Sequence, residues 1–389
     1  MRIKPKSPRE AIQPEQPPGP PPRSRHVRNP VVILINLIIS LAVFVVIGAG
    51  AALYFGKQIF DEPGPSTKDS TVIIAAGSGL SGITDRLSAE NVIGDSLIDE
   101  LVFNAGIRFY KNQTRLKAGE YAFAPGVSMR EIMQDLVEGN AVTHAVTVPE
   151  GWSTAQILKR VRDNDALVGD IETVPAEGAL LPETYTFTRG TTRQQIIDQM
   201  KAAQSKLLAE IWQRRSDGLP VKSPEELVIL ASIVEKETAK ADERPRVAGV
   251  FVNRLNKNMR LQSDPTILYG LHGGEAWLED RSAIKQSELK KENPYNTYQI
   301  NGLPPGPIGN PGRASMEAVA NPSRTKDLYF VADGTGGHVF SETYEQHQAN
   351  VRKWRKVERE IRTNAETAKD TAPAADEAAP AQGDGAKQN

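Results

Sequence analysis

The chain has 389 residues, with 47 Lys and Arg against 48 Asp and Glu, five His and no Cys. At about 150 residues per domain, this length suggests two modest domains with extensions. The net charge of −1 gives no indication of a nucleic-acid partner, and the lack of Cys excludes thiol catalysis, disulfides and Cys-ligated zinc. The His residues lack metal-ligand spacing and no phosphate-binding loop is present, so no cofactor is expected.

An apolar segment near the N-terminus predicts a membrane-spanning helix. Residues 31–55 carry no charged side chain, and about 20 such residues cross a bilayer. Seven Lys or Arg precede the segment against two Glu, so the positive-inside rule places the N-terminus in the cytoplasm and the rest outside. The alternative is a cleaved signal peptide, since Ala49-Gly50-Ala51 resembles a cleavage site. The length of the apolar stretch favours a retained anchor.

The ends of the chain differ in composition from its middle. Residues 1–30 are rich in Pro and polar groups and predict a disordered cytoplasmic tail. We expect a linker at 56–69 and a second disordered tail at 361–389, which has little to bury. Just before that tail, the segment from Tyr344 to Ile361 predicts a charged helix with one apolar face.

A loose repetition of strand, turn and helix runs from about residue 70 to 200. In each unit a β-branched or aromatic strand meets a Gly turn, and a Ser or Thr then caps an amphipathic helix. Ser128 with Glu131, and Ser153 with Gln156, have the spacing of capping boxes. The predicted strands are 72–74, 121–123, 146–148 and 185–187, and the predicted helices are 83–87, 129–137, 154–161 and 193–208. The units indicate mixed α and β structure and are too irregular for a solenoid.

The next helix, predicted over residues 223–238, is expected to be buried on most sides. Ser223 is a good N-cap, Pro224 suits the first helical position, and Glu226 has the spacing of a capping-box partner. Between residues 227 and 234 only Ser232 is polar, which is typical of a core helix.

Two acids end this helix and point in different directions. Glu235 continues the apolar face at helical period, whereas Glu237 lies about 200° further around the axis. Removal from water raises the pKa of a carboxyl group at the end of a buried helix. A raised pKa is what a general acid requires, because the group must hold its proton until the reaction. The alternative is a solvated or ion-paired residue at a helix end, because structural ion pairs also perturb pKa values.

Seven ordered motifs resemble those of the endolytic murein transglycosylase family, also called YceG-like proteins. They are VPEGWS (148–153), EGALLPETY (177–185), LASIVEKET (230–238), RLQSDPT (260–266), YNTY (295–298), GLPPGPI (302–308) and LYFVAD (328–333). The resemblance runs from the membrane segment to about Tyr344. It implies an α+β protein with a single N-terminal transmembrane helix and a small LysM-like module at 70–147. A mixed α/β catalytic domain at 148–360, with a buried catalytic helix, would follow.

The resemblance also implies a reaction and assigns Glu235 as its catalytic residue. Ordinary glycosidases use two carboxyl groups. A lytic transglycosylase uses one carboxyl group, which first protonates the oxygen between N-acetylmuramic acid and N-acetylglucosamine. The same group then accepts the proton of the muramic sugar's own 6-hydroxyl as that hydroxyl closes a 1,6-anhydro ring. For this role we expect the Glu235 carboxyl to have no ionised partner in contact.

Weaker candidates for substrate binding come from the later motifs. Asp264 precedes Pro265, which is typical of a helix cap with Gly270 closing a short helix, and a sugar contact is the alternative. Gln262 suits a sugar amide or hydroxyl, although a Gln before a turn is common. Glu237 is expected to support the site or form an ion pair.

The Pro- and Gly-rich loop after residue 295 is expected to form the wall of a cleft. Tyr298 would stack on a sugar and Asn296 would bind an N-acetyl group; the alternatives are core packing and turn hydrogen bonds. Glu183 and Tyr185 are weaker candidates because Pro182-Glu183 also suits a strand start. His338, in a predicted hairpin over 328–340, is expected to pack or hydrogen-bond rather than react.

Three functions are compatible with these features. The first is a lytic transglycosylase in the inner membrane, with its catalytic domain in the periplasm, that ends the growth of nascent glycan strands beside cell-wall synthases. The second is a non-catalytic, membrane-anchored scaffold that binds peptidoglycan. The third is a hydrolytic muramidase, whose products would be heavier by one water.

Overall fold

The computed structural model describes Gly19 and residues 29–276 and 287–371, and it combines α-helices with short β-strands. The chain forms two compact units, within residues 1–140 and 141–389. Most of the predicted cytoplasmic tail lies outside the described residues.

Helix α1 (Pro30–Asp61) contains the predicted membrane span. Asn29 caps it by accepting the N–H of Val31 at 3.0 Å. The helix is long and apolar enough to cross a membrane, and its most apolar stretch has no buried residue. The prediction of a linker from residue 56 is wrong for its first part, because the helix continues to Asp61. Phe60 is buried in the first unit, and Arg130 donates to Asp61 at 2.6 Å.

The rest of the first unit is a two-stranded antiparallel sheet with helices packed around it. Its elements are β1 (Ser70–Ile74), α2 (Leu80–Ala89), α3 (Leu97–Phe109), β2 (Gly119–Phe123) and α4 (Met129–Glu138). Val72 lies opposite Tyr121, and both side chains are buried. The strands, α2 and α4 were predicted, and the Ser128 capping box is confirmed. Helix α3 was not predicted, because it is apolar on both faces and shows no helical period.

The second unit begins with a similar sheet. Its first elements are β3 (Thr143–Thr147), α5 (Thr154–Arg162), β4 (Thr184–Thr188) and α6 (Arg193–Gln213). β3 pairs antiparallel with β4, so β3 belongs to the second unit and not, as expected, to the module before residue 148. The Ser153 capping box is confirmed, and Thr192 forms another with Gln195.

The larger core of the second unit is built by α6 and three later helices, α7 (Pro224–Glu237), α8 (Arg244–Asn256) and α10 (Arg313–Ala320). Helix α9 (Asp264–Ala276) packs against this core through Tyr269. Every residue of α7 from 227 to 234 is buried, as predicted. Ser223 caps α7, but the expected reciprocal bond is not formed: the Glu226 carboxylate accepts the N–H of Lys222 at 2.6 Å instead.

A hairpin and a long helix follow. The predicted hairpin is confirmed as β5 (Tyr329–Ala332) and β6 (His338–Ser341). Helix α11 (Tyr344–Thr371) extends ten residues past the predicted end at Ile361, and five of these ten are good helix formers, namely Arg, Glu, Lys and two Ala. The remainder of the predicted tail lies outside the described residues.

Candidate active site

Glu235 occupies the last turn of α7, and its carboxylate is almost fully enclosed. The side chain is 4% exposed. Its Oε1 lies 3.0 Å from Nη2 of Arg244, and its Oε2 accepts the N–H of Gly312 at 2.9 Å. The expectation that no ionised partner touches this carboxyl is therefore wrong. The sequence could not show the contact, because Arg244 belongs to the next helix and its direction depends on tertiary packing.

Three helix ends meet at this carboxylate. Arg244 is the first residue of α8 and Gly312 is the N-cap of α10, while Glu235 lies at the end of α7. The N-terminus of a helix carries a partial positive charge and unpaired N–H groups. An anion at this position thus gains from the N-terminus of α10 as well as from the guanidinium that α8 supplies. A carboxylate accepts both hydrogen bonds, whereas the O–H of a protonated acid has no acceptor in either partner.

A second acid, Glu150, shares the same guanidinium. Its Oε2 lies 3.2 Å from Nη2 of Arg244, and its side chain is 41% exposed. Burial and the nearby charge of Glu235 raise the pKa of Glu150, and Arg244 opposes the rise. Sequence reasoning gave Glu150 no role, although it lies in the VPEGWS motif. The pair therefore offers one buried and one accessible carboxyl beside a single cation.

Two glycine loops close around these acids. A Cβ on Gly312 would lie 1.9 Å from Oε1 of Glu150, and one on Gly309 would lie 2.6 Å from the carbonyl oxygen of Gly151. The loops are joined because the Gly151 N–H donates to the Asn310 carbonyl at 2.9 Å and the Asn310 N–H donates to the Trp152 carbonyl at 2.8 Å. Glycine is required here by close approach.

A buried polar network holds these loops from behind. The amide of Asn310 donates to Oε1 of Glu177 at 3.0 Å, and the backbone N–H of Thr154 donates to the same oxygen at 2.7 Å. The Tyr269 hydroxyl donates to the other oxygen at 3.1 Å. Burial raises the pKa of Glu177, and these hydrogen bonds partly offset the rise. The network connects α5, α9 and the loop before α10.

Glu237 has different partners from Glu235, as the helical period predicts. Its Oε1 accepts a short hydrogen bond, 2.5 Å, from the Ser263 hydroxyl. Burial raises the pKa of Glu237 to about 7, the Ser263 bond opposes the rise, and the charge of Asp264 adds to it. The Tyr298 hydroxyl donates to Asp264 at 2.7 Å. Several weaker candidates thus gather beside Glu237 rather than at Glu235.

The remaining members of this second cluster serve the local backbone. Gln262 is exposed, has a left-handed backbone (φ 52°), and donates its N–H to the Thr297 carbonyl at 3.2 Å. Asn296 is fully buried, and its amide donates to the carbonyls of Leu289 and Lys291. This matches the turn-bonding alternative for Asn296. The expectation that Gly270 closes a short helix is wrong, because α9 continues past it to a break at Gly273.

The other candidates lie on strands. Glu183 is exposed next to β4, and its carbonyl accepts the N–H of Val148 at 3.1 Å. Tyr185 donates its hydroxyl to the Leu181 carbonyl at 2.8 Å, and burial raises its pKa. His338 hydrogen-bonds Glu243 through Nδ1 at 2.8 Å, as its structural interpretation predicted.

Comparisons with known proteins give a consistent result. A profile described as the YceG-like family matches residues 72–353. A protein of Streptococcus pneumoniae (strain D39) named endolytic murein transglycosylase is 33% identical over 365 residues, which cover 81% of this chain and 64% of that protein. A Bacillus subtilis protein of the same name is 31% identical over 342 residues, covering 78% of this chain and 90% of that protein. A crystal structure of a yceG-like protein from Listeria monocytogenes is 34% identical, has a TM-score of 0.43, and covers 73% of this chain and 99% of that one. The chain thus spans about 64% of the length of the pneumococcal relative.

Proposed function

The chain belongs to the YceG-like family, and we propose that it is an endolytic murein transglycosylase anchored to a membrane by α1. Two relatives carry that name, and the matched range includes the whole site around Glu235. The proposed substrate is the glycan strand of peptidoglycan, cut within the chain between N-acetylmuramic acid and N-acetylglucosamine. The observation that carries this proposal is the enclosed Glu235 carboxyl directly after the buried stretch 227–234 of α7.

In the first proposed step Glu235 acts as a general acid. Its proton passes to the glycosidic oxygen, the bond from that oxygen to C1 of the muramic sugar breaks, and positive charge develops at C1. Glu235 must hold a proton at that moment, so the bound glycan has to weaken its contact with Arg244. Glu150 supports this role, since it already shares the guanidinium at 3.2 Å and remains an alternative partner for it.

In the second step the Glu235 carboxylate acts as a general base. The 6-hydroxyl attacks C1 and loses its proton to Glu235, which leaves a 1,6-anhydro end and restores the acid. The attack is intramolecular, which is a large rate advantage. The Gly312 N–H donates to the Glu235 carboxylate at 2.9 Å.

The finer parts of this proposal concern place and partners. The basic flank of α1 supports a cytoplasmic N-terminus and a periplasmic catalytic unit. An anchored enzyme would meet strands as they leave their synthases, and cutting them there would end their elongation. The two-stranded first unit is proposed to be the LysM-like module that holds glycan. Gln262, Asp264, Tyr298 and Glu237 are proposed to position substrate beyond the catalytic pair.

The test compares Glu235→Gln with wild type on intact glycan strands. We expect the variant to bind strands and release no new ends, while the wild type releases ends lighter by one water than reducing sugars. Glu225→Gln is the matched control, because Glu225 is an exposed acid in the first turn of the same helix. A variant that cleaves as fast as wild type would show that Glu235 is not the catalytic acid. A wild type that binds strands without releasing ends would support the scaffold, and ends of full mass would support a muramidase.

A further inference from the structure

We propose that helix α3 is a membrane-contact element whose exposed apolar face lies in the headgroup layer of the bilayer that α1 spans. The inference rests on the anchoring part of the proposed function and not on the catalytic part. The bound partner is a lipid surface with anionic headgroups.

The first observation is the composition of the outward face of α3. Four of its large apolar side chains are exposed: Leu97 by 85%, Ile98 by 62%, Leu101 by 68% and Phe109 by 72%. At 100° per residue they fall within an arc of about 120°. The opposite side holds the buried Phe103 and Ile107. Arg108, at about 20°, is the one charged residue of α3 within the arc, at its C-terminal end. An exposed face with this many large apolar side chains marks an interaction surface rather than ordinary surface scatter.

The second observation is where α3 sits along α1. Phe60 of α1 packs against Gly106 of α3 so closely that a Cβ on Gly106 would lie 2.3 Å from the Phe60 ring. Phe60 also stacks on Tyr110, with ring centroids 6.0 Å apart. The helix is continuous from the span to this contact, so Phe60 lies five residues, or about 7.5 Å, beyond Phe55.

That distance places α3 at headgroup depth. The headgroup layer adds about 5–7.5 Å on each side of the roughly 30 Å hydrocarbon core. If the apolar segment that ends at Phe55 fills the core, Phe60 and the helix packed on it lie at the outer boundary of that layer. An exposed apolar face at this depth meets lipid and headgroup rather than bulk water.

Charge along α3 fits the same partner. Arg108 and Lys111 are exposed next to Phe109, where they can reach lipid phosphates. The acids of the helix, Asp99 and Glu100, lie in its first turn at about 200° and 300° from Leu97, outside the apolar arc.

The natural absence of Cys makes a direct test possible. Single-cysteine variants of the full chain, Leu101→Cys and Phe109→Cys, would carry a polarity-sensitive fluorophore in vesicles of phosphatidylethanolamine and phosphatidylglycerol. Ile73→Cys is the matched control, since Ile73 is an exposed apolar residue on β1 of the same unit. Leu41→Cys reports on the span itself.

We expect the labels at 101 and 109 to emit at shorter wavelength than the label at 73, and to lose most of their fluorescence when the lipids carry a nitroxide near the headgroup. Equal quenching at all three positions, or a wavelength shift without lipid quenching, would overturn the proposal; the latter result would indicate a protein partner or a second copy. A label at 41 that stays unquenched by lipids carrying a nitroxide deep in the acyl chains would overturn both this inference and the anchor. The glycan-cleavage assay is independent, because no α3 residue belongs to the site around Glu235.

Discussion

Removing the guanidinium of Arg244 is the sharpest test of the arrangement at Glu235. In Arg244→Met the stem of the side chain is kept and the charge is lost. At 3.0 Å and an effective dielectric constant of about 20, the attraction to Glu235 is about 5.5 kcal/mol. Since breaking one side of a buried pair costs about 3–5 kcal/mol, we expect the free energy of unfolding at neutral pH to fall by that amount.

Urea unfolding followed by tryptophan fluorescence measures the free energy of unfolding of the second unit, because all four Trp residues lie after residue 140. The control is Arg214→Met, whose partner Glu317 lies at 2.9 Å on the surface, with the arginine side chain 57% exposed. Exposed pairs contribute up to about 1 kcal/mol. If Arg244→Met is as stable as the control at neutral pH, the Glu235 carboxylate is not held by a buried ion pair, and its contact with the Arg244 guanidinium is refuted.

Three further predictions follow from the surroundings of this pair. Asn310→Ala should lower the free energy of unfolding by about 2 kcal/mol, because it leaves the buried carboxyl of Glu177 without one of its donors; an unchanged urea midpoint would contradict this. Folding raises the pKa of Glu237 from 4.5 to about 7, so the native state binds this proton more tightly than the unfolded chain does. This difference adds up to about 3 kcal/mol to the free energy of unfolding. The added stability is fully present below pH 4.5 and is lost as the pH rises through 7. Urea unfolding at pH 5 and pH 8 should show that decline in wild type and a flatter profile in Glu237→Gln, and identical profiles would disprove it. Gly312→Ala should displace Glu150, because the new Cβ would lie 1.9 Å from its carboxyl oxygen. We expect the release of anhydro ends to slow by about tenfold, which corresponds to about 1.4 kcal/mol of activation free energy, with little loss of stability. A wild-type rate would show that Glu150 has no part in the reaction.

Local signals in the sequence predicted most of the secondary structure. The Ser128 and Ser153 capping boxes, the alternation in β1 to β4, and the uniform apolarity of α7 each depend on residues within one turn or strand, and the structure has them. Errors arose where a boundary depends on distant packing. Helix α1 extends into the predicted linker because Phe60 finds a core to enter, and β3 joins the second unit because its partner is β4.

The site was predicted less completely, for a physical reason. Helical period distinguished Glu235 from Glu237, and their separate partners agree with it. Nothing in the period of α7 shows that α8 and α10 direct Arg244 and the Gly312 N–H at the same carboxylate. Glu150 and Asn310 lie in or near matched motifs, but only the folded arrangement gives them a role. Asn296 looked like a sugar ligand because its hydrogen bonds to the loop backbone cannot be read from composition.

The most direct measurement of the central claim is the origin of the oxygen at each newly cut muramic end. Glycan strands cut by the full-length protein in water enriched in heavy oxygen would be analysed by mass. We predict ends that carry no heavy oxygen and are one water lighter than reducing ends, and no such ends from Glu235→Gln. Ends that incorporate heavy oxygen, or anhydro ends that persist in Glu235→Gln, would contradict ring closure by this residue.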